Sequence, residues 1–374
     1  MGAYAPGVGG EMSRRLRTPV GSPTAQASED SRTGSRSRTW FALRVLVTIS
    51  LMGGMVYLAD LSQVGAMLDR WAAFGLLGAS LALTVTLHLS AIRWQVVLGQ
   101  SAPDVIHLSR LYFIGWFFSQ FLPSSVGGDA ARLAGLKFNG IGLGRGGSSI
   151  LLERLLGLVA LLAFLAVGII VFPALAFQTA EGSTLGLSTR WLLAIAVTGL
   201  GGGGALVWLG RRSARVHSLL KEVVGLWQGF VRSPKRVAYA GILSVLVQTG
   251  YIATWIVLAW GLGLEIPFLV YFFFVPAVSL AALLPVTVSG LGVREGFTFL
   301  ALSPLGVGLT EAVTYGLSFY ASSLIVGGIG GVAFLRSGLA GAGRRDGDGR
   351  PESPYGMTDR RDGGTESLSI HVRE

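Results

Sequence analysis

The sequence predicts an all-α polytopic membrane protein, with about six full transmembrane helices and two re-entrant (broken) helical hairpins forming an inverted repeat. Three observations carry that expectation. Charged residues are only 13 % of the chain and hydrophobic residues 51 %, whereas an ordinary soluble domain is about 25 % charged. Apolar windows near the roughly 20 residues needed to cross a bilayer recur at 41–59, 72–92, 148–172, 191–209, 239–261 and 311–335. Two further apolar runs end in similar stretches, "FLPSSVGGDAARL" (121–133) and "LLPVTVSGLGVRE" (283–295).

Residues 1–39 are mostly Ser, Gly, Thr and Arg with little to bury, so they read as a disordered basic cytoplasmic tail. That tail is too long for the n-region of a cleavable signal, so 41–59 reads as a retained anchor. Residues 338–374 read as a second disordered cytoplasmic tail, which leaves 40–337 as the membrane domain. Basic short loops stay in the cytoplasm, and this orients the spans. The 60–70 loop carries Asp60 and Asp69 and falls outside. The 93–110 loop (Arg93, Arg110) and the 132–147 stretch (Arg132, Lys137, Arg145) fall inside. The 210–237 loop has Arg211, Arg212, Arg215, Lys221, Arg232, Lys235 and Arg236 and gives the strongest inside signal. Both termini are then cytoplasmic, in a multi-pass protein of the plasma (inner) membrane.

If both flanks of 111–131 are inside, that segment cannot cross. Its apolar part, "LYFIGWFFSQFL", would reach roughly 18 Å as a helix, about half a bilayer. Pro123, Gly127 and Gly128 are then expected to break it, giving a hairpin that dips in from the cytoplasm. The second copy, "FLVYFFFVPAVSLAALL" (268–284), starts outside and is expected to break at Pro285, Gly290 and Gly292. Two broken elements of opposite orientation are typical of secondary transporters and flippases, with the site at the repeat interface.

Each hairpin carries charge in or beside its tip: Asp129 and Arg132 on the first, Arg294 and Glu295 on the second. Glu153 and Arg154 interrupt the apolar run "SSILLERLLGLVALL". A charge near mid-bilayer costs about 2.5–3.5 kcal/mol on insertion scales, so such groups pair, face a watery cavity, or act. These six residues are the candidate substrate-binding set. Arg132 and Arg294 could clamp a phosphate through the planar guanidinium fork, with helix N-termini after the glycines adding N–H donors. Arg93, Arg110 and Arg145 are expected to snorkel to the interface.

Other classes are excluded or disfavoured. The chain has no cysteine, which removes disulfides, zinc–thiolate sites and Cys nucleophiles. Its four histidines are scattered without ligand spacing, so no metal or cofactor is expected. The net charge of +10 fits cytoplasmic loops of a membrane protein, and no nucleic-acid partner is expected.

"FFSQFLPSSVGGDAARLAGL", "ILLERLLGLVALL" and "LLPVTVSGLGVREG", in that order, resemble the transmembrane region of lysylphosphatidylglycerol synthases, also called the flippase-like or uncharacterised inner-membrane family. The resemblance implies a helical bundle around a lipid-accessible cavity, with Asp129, Glu153, Arg154, Arg294 and Glu295 at charged cavity positions. The family's two-domain members carry a soluble aminoacyltransferase-like domain; here a short tail follows instead, so lysyl transfer is not expected. The functional expectation is a flippase-like lipid translocase that binds an anionic or polyprenyl-phosphate lipid. Its alternatives are a membrane enzyme or an accessory subunit in lipid-linked phosphate or glycolipid metabolism. A homo-oligomer or a lipid-synthesis enzyme partner is compatible with each.

Overall fold

The computed structural model describes residues 45–121, 126–171, 214–283 and 289–343, together with Gly2, Leu43 and Thr287. The expected span 191–209, both breaker prolines Pro123 and Pro285, and nearly all of both expected tails lie outside the described residues. Those described form eleven α-helices and no strand. In chain order they are α1 (Val45–Leu58), α2 (Leu61–Met67), α3 (Arg70–Leu98), α4 (Val105–Phe121) and α5 (Val126–Phe138). There follow α6 (Leu143–Val171), α7 (Ala214–Val231), α8 (Pro234–Gly261), α9 (Tyr271–Ala282), α10 (Val293–Leu302) and α11 (Leu309–Gly343).

Four of these, α3, α6, α8 and α11, are long and apolar enough to cross a membrane among the described residues. Over the expected span at 41–59 lies α1, and the short α2 that follows it turns away by 85°, the break falling just past the window. Asp60 explains the turn. Its carboxylate accepts hydrogen bonds from the Ser62 and Gln63 backbone N–H groups, capping a new helix. Asp69 caps α3 in the same way, accepting from Trp71 and Ala72 N–H at 2.7 and 3.0 Å. At the far end of α3, Arg236 donates to the Val96 and Val97 carbonyls and Arg145 to the Leu98 carbonyl. Cations suit that terminus because its last carbonyls lack helical partners. The final helix α11 runs to Gly343, so it continues past the expected tail boundary at Gly338.

The two breaks differ. At the second, Gly290 and Gly292 take φ of 75° and 82°, values that a side chain disfavours, and α10 starts at Val293. At the first, Gly127 and Gly128 do not break the helix. They lie in the first turn of α5, which opens at Val126. Their service is close packing: a Cβ on Gly115 would come within 2.9 Å of the Gly128 carbonyl, so the arms of this hairpin can approach only without side chains there.

The helices pack in a crossed pattern. α4 lies against α5 and α9 against α10. The first arm of each hairpin also packs on the long helix that follows the other hairpin: α4 on α11, and α9 on α6. At the centre, α3 and α8 run antiparallel, with Gly75 beside Gly261, Gly250 beside Thr86, and Arg93 bonded to Ser244. Gly75 and Gly261 bring the backbones together, a common device where lipid gives no hydrophobic drive for association. The glycines of 326–331 act likewise, with Gly327 and Gly331 against Phe117. The largest apolar cluster surrounds Trp255, which packs on Phe274, Tyr315 and Phe319, and Tyr315 donates its hydroxyl to the Trp255 carbonyl at 2.5 Å.

Candidate functional site

A cavity of about 470 Å³ opens where α3, α4, α5, α6 and α8 converge. Its charged lining is Arg93, Asp129, Arg132, Glu153 and Arg154, with Tyr112 beside them. Four of the six predicted site residues therefore meet here: Asp129, Arg132, Glu153 and Arg154.

Glu153 sits at the centre of the network and is 2 % exposed. One carboxylate oxygen pairs with the Arg93 guanidinium and also accepts the Tyr112 hydroxyl at 3.2 Å. The other lies 3.5 Å from Arg132. Arg132 also lies 3.6 Å from Asp129, one turn earlier on α5. Asp129 in turn holds Arg154 at 2.7 Å. The adjacent residues Glu153 and Arg154 thus belong to different pairs, because successive side chains on a helix point about 100° apart. Arg154 is 40 % exposed and stands at the rim with the exposed Leu155 and Leu283.

Arg93 is the residue that sequence reasoning misplaced. It was expected to snorkel to the interface, yet it is 4 % exposed, held by Glu153 and donating to the Ser244 hydroxyl at 3.1 Å. The cause is the length of α3. The apolar window stops at residue 92, whereas the helix continues to Leu98, so Arg93 lies more than a turn inside.

Arg132 is set differently from the other two arginines. Its guanidinium carbon lies 4.0 Å from the Trp94 ring centroid and 4.2 Å from that of Tyr112, so cation–π attraction holds it on both. The Trp94 indole is fixed by donating to Ser149 at 3.0 Å. Two of the Arg132 nitrogens, Nε and Nη2, are buried without a hydrogen-bond partner among the described residues. Leaving such donors unmet costs about 1–3 kcal/mol each. Sequence reasoning did not single out Trp94 or Tyr112; only their nearness to Arg93 and to the first hairpin arm could have flagged them. Three guanidiniums against two carboxylates leave this cavity with one net positive charge.

Residues 41–331 match the family model for the lysylphosphatidylglycerol synthase TM region. The chain belongs to that family. No curated protein and no solved structure matches it. Its membrane-length helices make it a multi-pass membrane protein, and the family match is consistent with a lipid-related one, with the motif-bearing segments 117–136, 150–162 and 283–296 all inside the matched range.

Arg294 and Glu295, the other two predicted site residues, lie outside this cavity. Arg294 stands 4.9 Å from the Phe319 ring centroid and donates to the Ser289 carbonyl at 3.4 Å. Glu295 is fully buried and accepts the Gly292 N–H at 2.6 Å. The expectation that Arg132 and Arg294 jointly line one pocket is therefore not met. The hairpins do touch: the Ser289 hydroxyl donates to Gln120 Oε1 at 3.5 Å, and Leu283 reaches the cavity rim.

Proposed function

We propose that this protein is a flippase-like lipid translocase whose cavity holds the phosphate-bearing headgroup of an anionic lipid. The observation that carries this is Arg132. It is a buried, aromatic-braced guanidinium, with two donor nitrogens left without a partner among the described residues, in a cavity of net positive charge. A phosphate oxygen pair matches the guanidinium fork and supplies the missing acceptors. Arg154, at the rim and only part-buried, is placed to meet the headgroup first. Exposed Leu155 and Leu283 beside it give the rim an apolar lip suited to acyl chains.

The crossed packing of the hairpins, with antiparallel α3 and α8, supports an inverted repeat of long helix, broken hairpin and long helix. In that arrangement the hairpins enter from opposite sides, and rocking one repeat against the other would expose the cavity alternately. Full-length protein in proteoliposomes with a fluorescent phosphatidylglycerol tests this through leaflet-resolved quenching. Transfer faster than in protein-free vesicles, and lost in Arg132→Ala, is expected. Wild-type transfer no faster than in empty vesicles removes the translocase reading.

A further inference from the structure

The second hairpin holds an acid with unusual surroundings. Glu153 and Asp129 are each paired with arginine. Glu295 is fully buried, yet it forms no ion pair among the described residues. Its Oε2 accepts the Gly292 N–H, while Oε1 is buried with no hydrogen-bond partner among the described residues. No open space adjoins that oxygen on the α11 side. A Cβ added to Gly316 would come 2.9 Å from Glu295 Cγ and 3.1 Å from Oε1.

Arg294 acts on Glu295 electrostatically, but no group among the described residues forms an ion pair with it. On its own helix, Arg294 is directed to the Ser289 carbonyl and the Phe319 ring, and its Nη1 has no hydrogen-bond partner among the described residues. From α11 come Tyr320 and Tyr315, the latter engaged with the Trp255 carbonyl. From α9 the titratable side chain is Tyr271, bonded to Tyr315. From α1, Leu51 and Met55 face Gly292 and Gly296. A buried carboxylate with no ion pair and one oxygen left without a hydrogen bond favours the neutral, protonated form.

We infer that Glu295 is a proton-binding site, carrying a proton when α10 is packed on α11 and releasing it when the second hairpin loosens. Taking up a proton from hydronium leaves water and a neutral carboxyl that the pocket tolerates. Returning the proton to water creates an anion that must reach Arg294 or solvent, which separates α10 from Gly316. Because the Ser289 hydroxyl bonds to Gln120 of the first hairpin, movement there reaches the edge of the anion cavity. The inference builds on the translocation reading for its purpose, and its test is independent of lipid transfer.

The test is infrared difference spectroscopy on the full chain in nanodiscs, between neutral and alkaline buffer. A protonated-carboxyl C=O band at neutral pH is expected, fading as pH rises. It should be absent in Glu295→Gln and kept in Glu311→Gln, whose carboxylate caps α11 at the Gly308 N–H. Hydrogen exchange over 293–302, corrected for intrinsic rate, should rise at least tenfold at alkaline pH in wild type and stay level in Glu295→Gln. A band unchanged by Glu295→Gln overturns the inference. So does failure of Glu295→Gln to fold, because glutamine reproduces the shape and neutrality of the protonated acid. Lipid transfer can fail with the band intact, or persist without it, so the two readings fall separately.

Discussion

Arg93 and Glu153 are joined in a buried ion pair between α3 and α6, with Ser244 of α8 completing the arginine's contacts. The pair ties three long helices together at the base of the cavity. Removing one partner strands the other, at a cost of about 3–5 kcal/mol, whereas replacing both by apolar groups can be nearly neutral. Glu153→Leu should therefore be much less stable than the double variant Arg93→Leu/Glu153→Leu. Thermal unfolding in detergent reads this directly. A double variant as damaged as the sum of the two singles would show that the pair has no coupling.

Arg132→Lys keeps the charge beside Asp129 and Glu153 but loses the fork and most of the stacking on Trp94 and Tyr112. Binding of an anionic lipid should weaken about tenfold, equivalent to about 1.4 kcal/mol, with the melting temperature little changed. Arg132→Ala should lose both, because two carboxylates are then left short of a partner. Equal lipid affinity for lysine and arginine would reduce Arg132 to a structural counter-charge.

Close approach of α3 and α8 gives a sharper stability contrast. Gly75→Ala places a methyl 2.8 Å from the Gly261 Cα, and overpacking of this kind costs about 1–3 kcal/mol. Gly241→Ala, also on α8, meets nothing within 4 Å and should leave unfolding unchanged. Similar melting of the two variants would contradict this crossing.

The proposed inverted arrangement can be tested by labelling, because the chain contains no cysteine. Gly142→Cys lies just before α6 and Ser303→Cys just after α10, both at exposed positions. In sealed, oriented vesicles an impermeant maleimide should reach Gly142→Cys from the cytoplasmic face and Ser303→Cys from the opposite one. Labelling of both from one side would mean that the hairpins enter together.

Much of this was legible before folding. Apolar windows located the helices α3, α6, α8 and α11, and charges inside or beside apolar runs marked Asp129, Arg132, Glu153 and Arg154. What sequence could not supply was partnership. Glu153 and Arg154 are neighbours in the chain, yet they turn to Arg93 and Asp129, because a helix sends successive side chains to different faces. Arg93 was hidden because hydropathy falls where polar residues begin, not where the helix ends. Arg294 shares its motif position with Arg132, but similar spacing within a repeat does not make one pocket. The glycines of the first hairpin were misread for a related reason. Glycine both breaks helices and lets them touch, and only the facing Gly115 decides between the two.

The central claim is that the Arg132 cavity recognises an anionic headgroup. Native mass spectrometry of the full chain from nanodiscs of equal phosphatidylglycerol and phosphatidylcholine measures that claim most directly. Wild type should retain phosphatidylglycerol at least tenfold over phosphatidylcholine, and folded Arg132→Lys should lose most of that preference. Equal retention of the two lipids by wild type, or an unchanged preference in Arg132→Lys, would contradict it.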